Sequence, residues 1–422
     1  MKYIKILLCL LLLTTACQKT PKFTFMVGGS ANALLYWERV TKEFETKKGI
    51  KIELIRLPAD TEQRRQRIVI PLQAKASDPD VFLMDVIWVG MIAGARWLEP
   101  LNHYINRDNF DINKFFKRVI EDVDTFKHKI IALPVYVDGG LLYYRKDLLT
   151  KYGYHEPPST WETLVNMAKQ IQKKERIQNK AFWGFVWQGA MYEGLICTFL
   201  EFCASGNGGI SFDPLGKIKV NTMENQKALK FMVKLIHQEG ISPPNTFTEL
   251  KEEEVRLIFQ QGNALFERNW PYAWKLHQQS SLGGKVGITQ LPHLEGGKTA
   301  STLGGWHIGI SKFSDVKEIA WEFVKFVTSF EQQKKFVLEL GWNPGRSDIY
   351  QDPEIREKMP HLIVLKNVFE NAVARPVSPY YSQISQIIQR HINAALALKE
   401  TSNEALKKAQ VEIDQLFVYY GN

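Results

Sequence analysis

Strand-like and helix-like hydrophobic patterns alternate along the chain from residue 23 onward. The apolar runs FTFMV, IELIRL and VFLM, which begin at residues 23, 52 and 81, predict three short strands. Between the first two, apolar residues from Leu34 to Phe44 recur near helical spacing, and Gly49 predicts the end of that helix. Strands that alternate with helices predict α/β layers around a largely parallel sheet.

Small and polar residues follow two of these predicted strands. Residues 28–32 follow the first strand, and Asp85 and Trp88 follow the third. Ligands of parallel sheets bind at the carboxyl ends of the strands. These positions are therefore candidates for a binding site.

The rest of the chain continues the α/β pattern without a dividing linker. Residues 157–296 are rich in helical patterns, and residues 317–341 form another strongly amphipathic helix. A length of 422 residues is too great for one ordinary core, so two lobes are expected. Because no single linker separates them, we expect the chain to pass between the lobes more than once.

The stretch ALPVYVDGGLLYYRKDLL, residues 132–149, predicts a strand, a turn, a second strand and the start of a helix. Asp138 interrupts its apolar run, where a buried charge is unfavourable without a partner. Asp138 is either a ligand contact or a structural residue that caps the turn at Gly139 and Gly140. Tyr143 and Tyr144 alternate along the second strand, so one of them should face the core.

The amino terminus predicts export. Lys2 and Lys5 precede an apolar run, and the small residues TTA lead to Cys17. Residues 1–16 are thus predicted to be a signal peptide, with lipidation of Cys17 and a tether over residues 17–21. An ordinary cleaved signal with an incidental cysteine is the alternative. The expected location is outside the cell, in the periplasm or at the surface, anchored to the membrane.

Export changes the interpretation of charge and cysteine. Loss of Lys2 and Lys5 lowers the formal net charge from +9 to +7, and the basic residues are scattered, so nucleic-acid binding is not expected. Cys197 and Cys203 are six residues apart in a predicted helix. Their diverging faces favour two buried thiols over a disulfide.

Motifs for common enzymes are missing from the sequence. HExxH, CxxC, G-x-G-x-x-G and G-x-S-x-G are all absent, and the nine histidines lack metal-ligand spacing. No metal or cofactor is therefore expected. An exported glycoside hydrolase that uses Asp85 and Asp138 as its carboxylate pair remains an alternative.

Six segments in order along the chain carry a resemblance to a known family: VFLMDVIW, LPVYVDGGLLYYRKDLL, PSTWETL, ALFERNWPYAW, LGGWHIGIS and ARPVSPYYSQIS. Together they resemble the extracellular solute-binding proteins of bacterial ABC importers, most closely the maltose- and trehalose-binding group. The resemblance implies a monomeric, non-enzymatic binding protein with the type II periplasmic-binding-protein-like α/β fold. It further implies two lobes joined by a multi-segment hinge, a sugar bound in the cleft between them, and an ABC permease with its ATPase as partner. Residues 22–134 and 297–344 would form the first lobe, and residues 135–296 and 345–422 the second, with ALPVYVDGGLLYYRKDLL as a crossing point between them.

The resemblance also implies the sugar contacts. Matched position by position, they fall on Asp85, Tyr136, Asp138, Trp270, Tyr272, Trp306 and Arg375, with a further contact near Asn32. Carboxylates accept sugar hydroxyls, indoles cover ring faces, and arginine donates from a planar fork. Related proteins often carry an acid where this chain has Asn32, so the sugar and its linkage stay open. A non-sugar solute, such as a peptide, a metal or a polyamine, is the remaining alternative.

Most of these positions also have a structural interpretation. Asp85 could cap the turn after its strand, and Arg375 could form a salt bridge across the lobes. Trp270, Tyr136 and Tyr272 could be core rings. Trp306 follows two glycines, which permit close approach of a ligand to the backbone, so we expect it to be more exposed.

Overall fold

The computed structural model describes residues 23–58, 60–213 and 217–420, so the predicted signal peptide and Cys17 lie outside the described residues. The strands are β1 Phe23–Gly28, β2 Ile52–Leu57, β3 Val81–Asp85, β4 Thr125–Phe126, β5 Lys129–Ile130, β6 Leu133–Gly139, β7 Leu141–Arg145, β8 Trp183–Val186, β9 Ser211–Phe212, β10 Ile218–Lys219, β11 Ala264–Asn269, β12 Val286–Thr289, β13 Ser301–Ile310 and β14 Ala372–Val373.

Helices alternate with these strands along the chain. They are α1 Ala31–Lys48, α2 Thr61–Gln73, α3 Val89–Gly94, α4 Asn102–Arg107, α5 Lys117–Val119, α6 Lys146–Lys151, α7 Trp161–Glu175, α8 Glu193–Ser205, α9 Met223–His237, α10 Glu252–Gln260, α11 Ala273–Gln278, α12 Lys317–Val327, α13 Phe330–Leu340, α14 Pro353–Lys358, α15 Leu362–Glu370, α16 Tyr381–Leu396 and α17 Ser402–Tyr420.

The first helix shows how local sequence specifies these elements. The Ser30 hydroxyl accepts a hydrogen bond from the Ala33 N–H at 3.4 Å and caps the start of α1. Gly49 ends the helix with φ +67°, a left-handed conformation that suits glycine. Trp37 and Phe44 are fully buried; Trp37 packs edge-on against Phe25 of β1, and Phe44 packs edge-on against Phe323 of α12. The predicted helix and its end are confirmed.

The first sheet is mixed rather than largely parallel. Its strand order is β14-β13-β3-β1-β2, with β6 also paired to β13. β1 is parallel to β2 and β3, as predicted, but β13 runs antiparallel to β3 and to β6. β13 follows β12, which belongs to the other sheet. The chain therefore does not enter β13 through a right-handed βαβ crossover, which is the connection that joins parallel strands.

The second sheet has the order β12-β7-β11-β8. β7 is antiparallel to both of its neighbours, and β8 is parallel to β11. Helices α7 and α10 pack against this sheet, and α8 and α9 pack against each other and against the final helices α16 and α17 in the same core. The helix-rich middle of the chain and its carboxyl end thus build the second lobe together.

Strands β6 and β7 do not pair with each other, so the predicted turn at Gly139 and Gly140 is wrong. β6 belongs to the first sheet, β7 to the second, and Gly140 alone separates them. A Cβ atom on Gly140 would lie 2.1 Å from a carboxylate oxygen of Glu201, so this glycine permits close approach rather than a turn.

The chain passes between the lobes at two further places, from β12 to β13 and from β14 to α16. Three crossing segments therefore make up the hinge. Residues 135–139 pair within the first sheet, and α14 and α15 pack with first-lobe elements. We therefore place residues 135–139 and 345–373 in the first lobe rather than in the second, where they were predicted to lie.

Helix α8 carries both remaining cysteines. Cys197 and Cys203 are free and buried, as predicted. Tyr143 is fully buried and Tyr144 half-buried, so the expectation that one of the pair faces the core is confirmed. Across the described residues, no helix combines the length and apolar character needed to cross a membrane.

Candidate ligand-binding cleft

A cleft of about 440 Å³ lies between the two lobes. The first lobe lines it with Asp60, Thr61, Glu62, Asp85, Ile87, Trp88, Asp138, Gly304, Gly305 and Trp306. The second lobe contributes Tyr192, Glu193, Gly194, Cys197, Lys251, Glu252, Trp270 and Tyr272, and the third crossing segment contributes Arg375. Both lobes therefore contact anything that fills the cleft.

Strand β13 aligns the polar and aromatic groups of the first-lobe wall. Trp306 lies opposite Asp85 on β3 and opposite Tyr136 on β6. Gly304 lies opposite Asp138, so both acids flank the same strand. Gly305 has φ +131°, and a Cβ there would lie 2.4 Å from the Tyr136 carbonyl oxygen. The two glycines therefore let β13 approach β6 closely beside the cleft.

Asp85 has a structural role as well as a place in the wall. Its Oδ1 accepts a hydrogen bond from the Ile87 N–H at 3.1 Å, which caps the short 3₁₀ turn after β3. Burial raises the pKa of the Asp85 carboxyl, and the Arg375 guanidinium opposes that rise. The capping interpretation is confirmed, and the carboxyl nevertheless faces the cleft.

Asp138 faces the cleft without a cationic partner among the described residues. The Asn343 side-chain amide donates to its Oδ1 at 3.3 Å. Burial raises the pKa of the Asp138 carboxyl to about 7, Asn343 opposes the rise, and Asp85 adds to it. The carboxyl is thus held in an environment that favours an added hydrogen-bond donor.

Each lobe presents one indole to the cleft with a guanidinium stacked on it. The Arg64 guanidinium lies 4.3 Å from the ring centre of Trp306, and Arg268 lies 4.1 Å from that of Trp270. Trp88 meets Trp306 edge-on at 5.4 Å. These cation–π and edge contacts orient two half-buried flat rings on opposite walls.

Polar contacts hold Trp270 and Tyr272, the two matched aromatic residues of the second lobe, in place. The Trp270 Nε1–H donates to Glu252 Oε1 at 3.3 Å. The Tyr272 hydroxyl donates to Glu253 Oε1 at 2.5 Å. Neither ring is a core ring, because both are half-buried and line the cleft.

Arg375 ties the lobes together at the cleft floor. Its Nη1 lies 2.9 Å from Glu193 Oε1 on α8, and its Nη2 donates to the Leu303 carbonyl on β13 at 3.1 Å. Tyr381 and Ser385 also donate to the Glu193 carboxylate. Arg375 Nε is buried with no hydrogen-bond partner among the described residues. The interlobe salt bridge is confirmed, and it leaves one donor of the guanidinium unused.

The structure brings six of the eight matched positions together in the cleft: Asp85, Asp138, Trp270, Tyr272, Trp306 and Arg375. Tyr136 does not line the cavity; its ring stacks on Trp342 with ring centres 4.4 Å apart. Asn32 is exposed in the first turn of α1 and does not line the cavity either.

Sequence reasoning missed several lining residues. Asp60 and Glu62 follow β2, so the rule that favoured Asp85 could also have identified them. They place carboxylates on the first-lobe wall, where the loop after β1 has none. Glu193, Lys251 and Glu252 lie at helix starts far along the chain and carried no recognisable signal.

The part of the chain that the structure describes holds no group of three or more His, Cys, Asp or Glu side chains arranged for a metal ion. The cleft chemistry is instead that of hydroxyl acceptors, planar donors and flat apolar rings.

Comparison with known proteins gives the same picture. The sequence model of the bacterial extracellular solute-binding protein family matches residues 29–334. A protein of Deinococcus radiodurans named "Probable ABC transporter-binding protein" is 37% identical over 375 residues, which cover 88% of this chain and 87% of that protein. A maltotriose-binding protein of Pyrococcus abyssi is 28% identical, over 79% of this chain and 71% of its own. The solved structure of maltose-bound T. maritima MalE3 is 41% identical and superimposes with a TM-score of 0.84, covering 94% of this chain and 99% of that one.

Proposed function

This chain belongs to the bacterial extracellular solute-binding protein family, and from that premise we propose that it captures a maltose- or trehalose-like disaccharide for an ABC importer. Members of the family bind solutes and are not enzymes. One observation carries the proposal: acids and stacked indoles from both lobes line one cleft, in a fold shared with a maltose-bound protein 41% identical to this chain.

The geometry suits a neutral sugar. The cavity falls within the roughly 300–1,000 Å³ typical of small-molecule sites. Trp306 and Trp270 can cover ring faces from opposite walls, and Asp85 and Asp138 can accept hydroxyl hydrogens. A ligand held by both walls favours the closed arrangement of the lobes, so capture proceeds by hinge closure.

Delivery requires a partner at the membrane. We propose that a lipid on Cys17 holds the monomeric protein near the permease and ATPase of its importer. A single acyl chain binds a membrane only marginally and reversibly, so the lipid on Cys17 would need more than one chain to anchor the protein stably. Mass spectrometry of membrane-extracted protein tests this anchor directly: an unmodified Cys17, or cleavage elsewhere, would contradict it.

Calorimetric titration with mono-, di- and trisaccharides tests the function. We expect a disaccharide such as maltose or trehalose to bind, and at one hundred times its Kd to stabilise the native state by about 2.7 kcal/mol. Glucose release during incubation would instead support the glycoside hydrolase with Asp85 and Asp138 as its carboxylates. Absence of any response to the sugar panel would contradict the proposal and favour a non-sugar solute.

Replacement of Trp306 by alanine should weaken disaccharide binding by about 1.5 kcal/mol, roughly tenfold, because a ring face loses its flat apolar cover. Trp183→Ala is the matched control, since Trp183 is also half-buried beneath an arginine, Arg176 at 4.2 Å, but lies outside the cleft. Calorimetry and thermal unfolding of both variants give the result. Equal affinities in the two variants would remove Trp306 from the site.

A further inference from the structure

A loop that follows α13 lies along strand β6 on the side away from β13. The Val137 N–H donates to the Asn343 carbonyl at 2.9 Å, and Tyr136 and Pro344 form an isolated antiparallel bridge. Gln333 of α13 fastens the loop to the strand, because its Oε1 accepts the Arg346 N–H at 2.9 Å and its Nε2 donates to the Pro134 carbonyl at 3.0 Å. The backbone of Asn343 is therefore held in register with the strand that carries Asp138.

The side chain of Asn343 reaches Asp138 from behind the cleft wall. Asn343 is 1% exposed and does not line the cavity, yet its Nδ2 donates to Asp138 Oδ1 at 3.3 Å. Its own Oδ1 is buried with no partner among the described residues. A purely structural amide would be expected to satisfy both of its polar ends. The Asn343 amide instead donates to the carboxylate of Asp138, which faces the cleft.

Apart from Asn343, the described groups that face Asp138 do not favour its ionised form. Asp85 faces it from β3 and raises its pKa further, beyond the larger effect of burial. The hydroxyls of Tyr136, Tyr143 and Tyr350 lie near it from β6, β7 and the segment before α14, and burial raises the pKa of all three well above 10. They stay uncharged at neutral pH, so Asn343 is the neighbour that favours the ionised carboxylate.

We propose that Asn343 is a positioning residue for ligand capture, which occupies Oδ1 of Asp138 from behind and leaves Oδ2 to accept a ligand hydroxyl. The inference rests on the proposed function, because it assigns a role within the same sugar site. It adds a residue that neither contacts the cavity nor belongs to the matched positions.

The test compares Asn343→Leu with the wild-type protein in disaccharide titrations from pH 5.5 to 9. Wild-type affinity should fall below about pH 7 as Asp138 gains a proton and ceases to be a charged acceptor. Without the amide, ionisation becomes harder, so the midpoint of this fall should move upward by roughly half a unit to one unit. At pH 8 affinity should drop roughly 3- to 10-fold.

Gln332→Leu is the matched control. Gln332 is also 1% exposed, also has an unpartnered Oε1, and lies in the same lobe, but it faces Glu43 rather than Asp138. Its loss should lower the melting temperature without moving the pH midpoint of sugar affinity. Asn343→Ser, which adds no apolar volume, replaces the leucine variant if that variant does not fold.

A ligand-free measurement separates this inference from the proposed function. The wild-type free energy of unfolding should stop falling near pH 7, where Asp138 is ionised in the native state, and in Asn343→Leu it should go on falling to a higher pH. An unchanged profile in the variant would overturn the role of Asn343. A shifted profile with no sugar response in the wild-type protein would overturn the proposed function and leave the Asn343–Asp138 coupling standing.

Discussion

Asp138→Asn is expected to stabilise the ligand-free protein at pH 8 and to weaken its binding of sugar. The unfolded carboxyl ionises near 3.8, whereas burial raises its pKa in the native state to about 7. Between these values the native state holds a proton that the unfolded state releases, so the free energy of unfolding falls as pH rises. Above pH 7 the native carboxyl is ionised as well, so the free energy of unfolding falls no further. Asparagine does not ionise, so the variant does not lose this stability.

The gain in stability should be about 2 kcal/mol at pH 8 and close to zero at pH 4. Each pKa unit corresponds to about 1.36 kcal/mol. The full shift in the pKa of Asp138 would give about twice this gain. The half-buried Asp138 keeps some solvent contact through the cleft, however, which reduces the cost of ionising it. Chemical denaturation of the ligand-free wild-type and variant proteins at the two pH values measures the difference.

Binding should change in the opposite direction. A hydrogen bond to a charged acceptor contributes about 1.5–3 kcal/mol, so the variant should bind the disaccharide ten- to one hundredfold more weakly. Asp147→Asn is the control, because Asp147 pairs with Arg145 at 2.6 Å outside the cleft. Burial by itself would raise the pKa of the Asp147 carboxyl, but Arg145 lowers it. The Asp147→Asn variant should therefore lose stability and keep its affinity. A destabilised Asp138→Asn protein with normal affinity would contradict the site.

Arg268→Met is expected to destabilise the protein by about 3–5 kcal/mol, because it leaves the Glu201 carboxylate buried without its cation. Arg268 donates to both oxygens of Glu201, at 2.8 and 2.5 Å, and both side chains are 1% exposed. Glu201 also accepts the Thr302 N–H at 3.1 Å, at the start of β13. The pair therefore supports two crossing segments of the hinge, one at Gly140 and one at β13.

A double variant distinguishes the effect of the unpaired Glu201 charge from the effect of the lost Arg268 packing. Arg268→Met with Glu201→Leu should recover part of the stability, because no buried charge remains. Arg39→Met is the exposed control: Arg39 pairs with Glu339 while 60% exposed, and its loss should change stability by no more than about 1 kcal/mol. Denaturant midpoints of the three variants are the measurement. A small effect of Arg268→Met alone would show that Glu201 takes up a proton or another partner.

Much of the local structure was readable from the sequence. The start of α1 at Ser30 and its end at Gly49, the strands β1 to β3, and the buried thiols of α8 all follow from hydrophobic spacing and end signals. These features depend on residues only a few positions apart. Asp138 was also recognisable as unusual, because an acid within an apolar run needs a partner.

The resemblance to a binding-protein family supplied what spacing could not, namely which distant residues meet. Six of its eight matched positions line the cleft, whereas Asn32 and Tyr136 do not line the cavity. Position-by-position matching carries over the place of a residue in the chain. It does not carry over the direction of its side chain, which the local packing of this protein decides.

By itself, the sequence determined the α/β elements, since periodicity reports which face of each element is buried, and the chemistry of the cleft was implied by the resemblance that its motifs carry. The sequence already placed a crossing between the lobes in the ALPVYVDGGLLYYRKDLL stretch, and only the tertiary structure decided that the chain crosses at Gly140 without a turn. The tertiary structure alone paired Arg268 with Glu201 across 67 positions and placed Asn343 behind Asp138 across 205. Such pairs depend on the register of strands from distant parts of the chain, and a local pattern holds no information about that register.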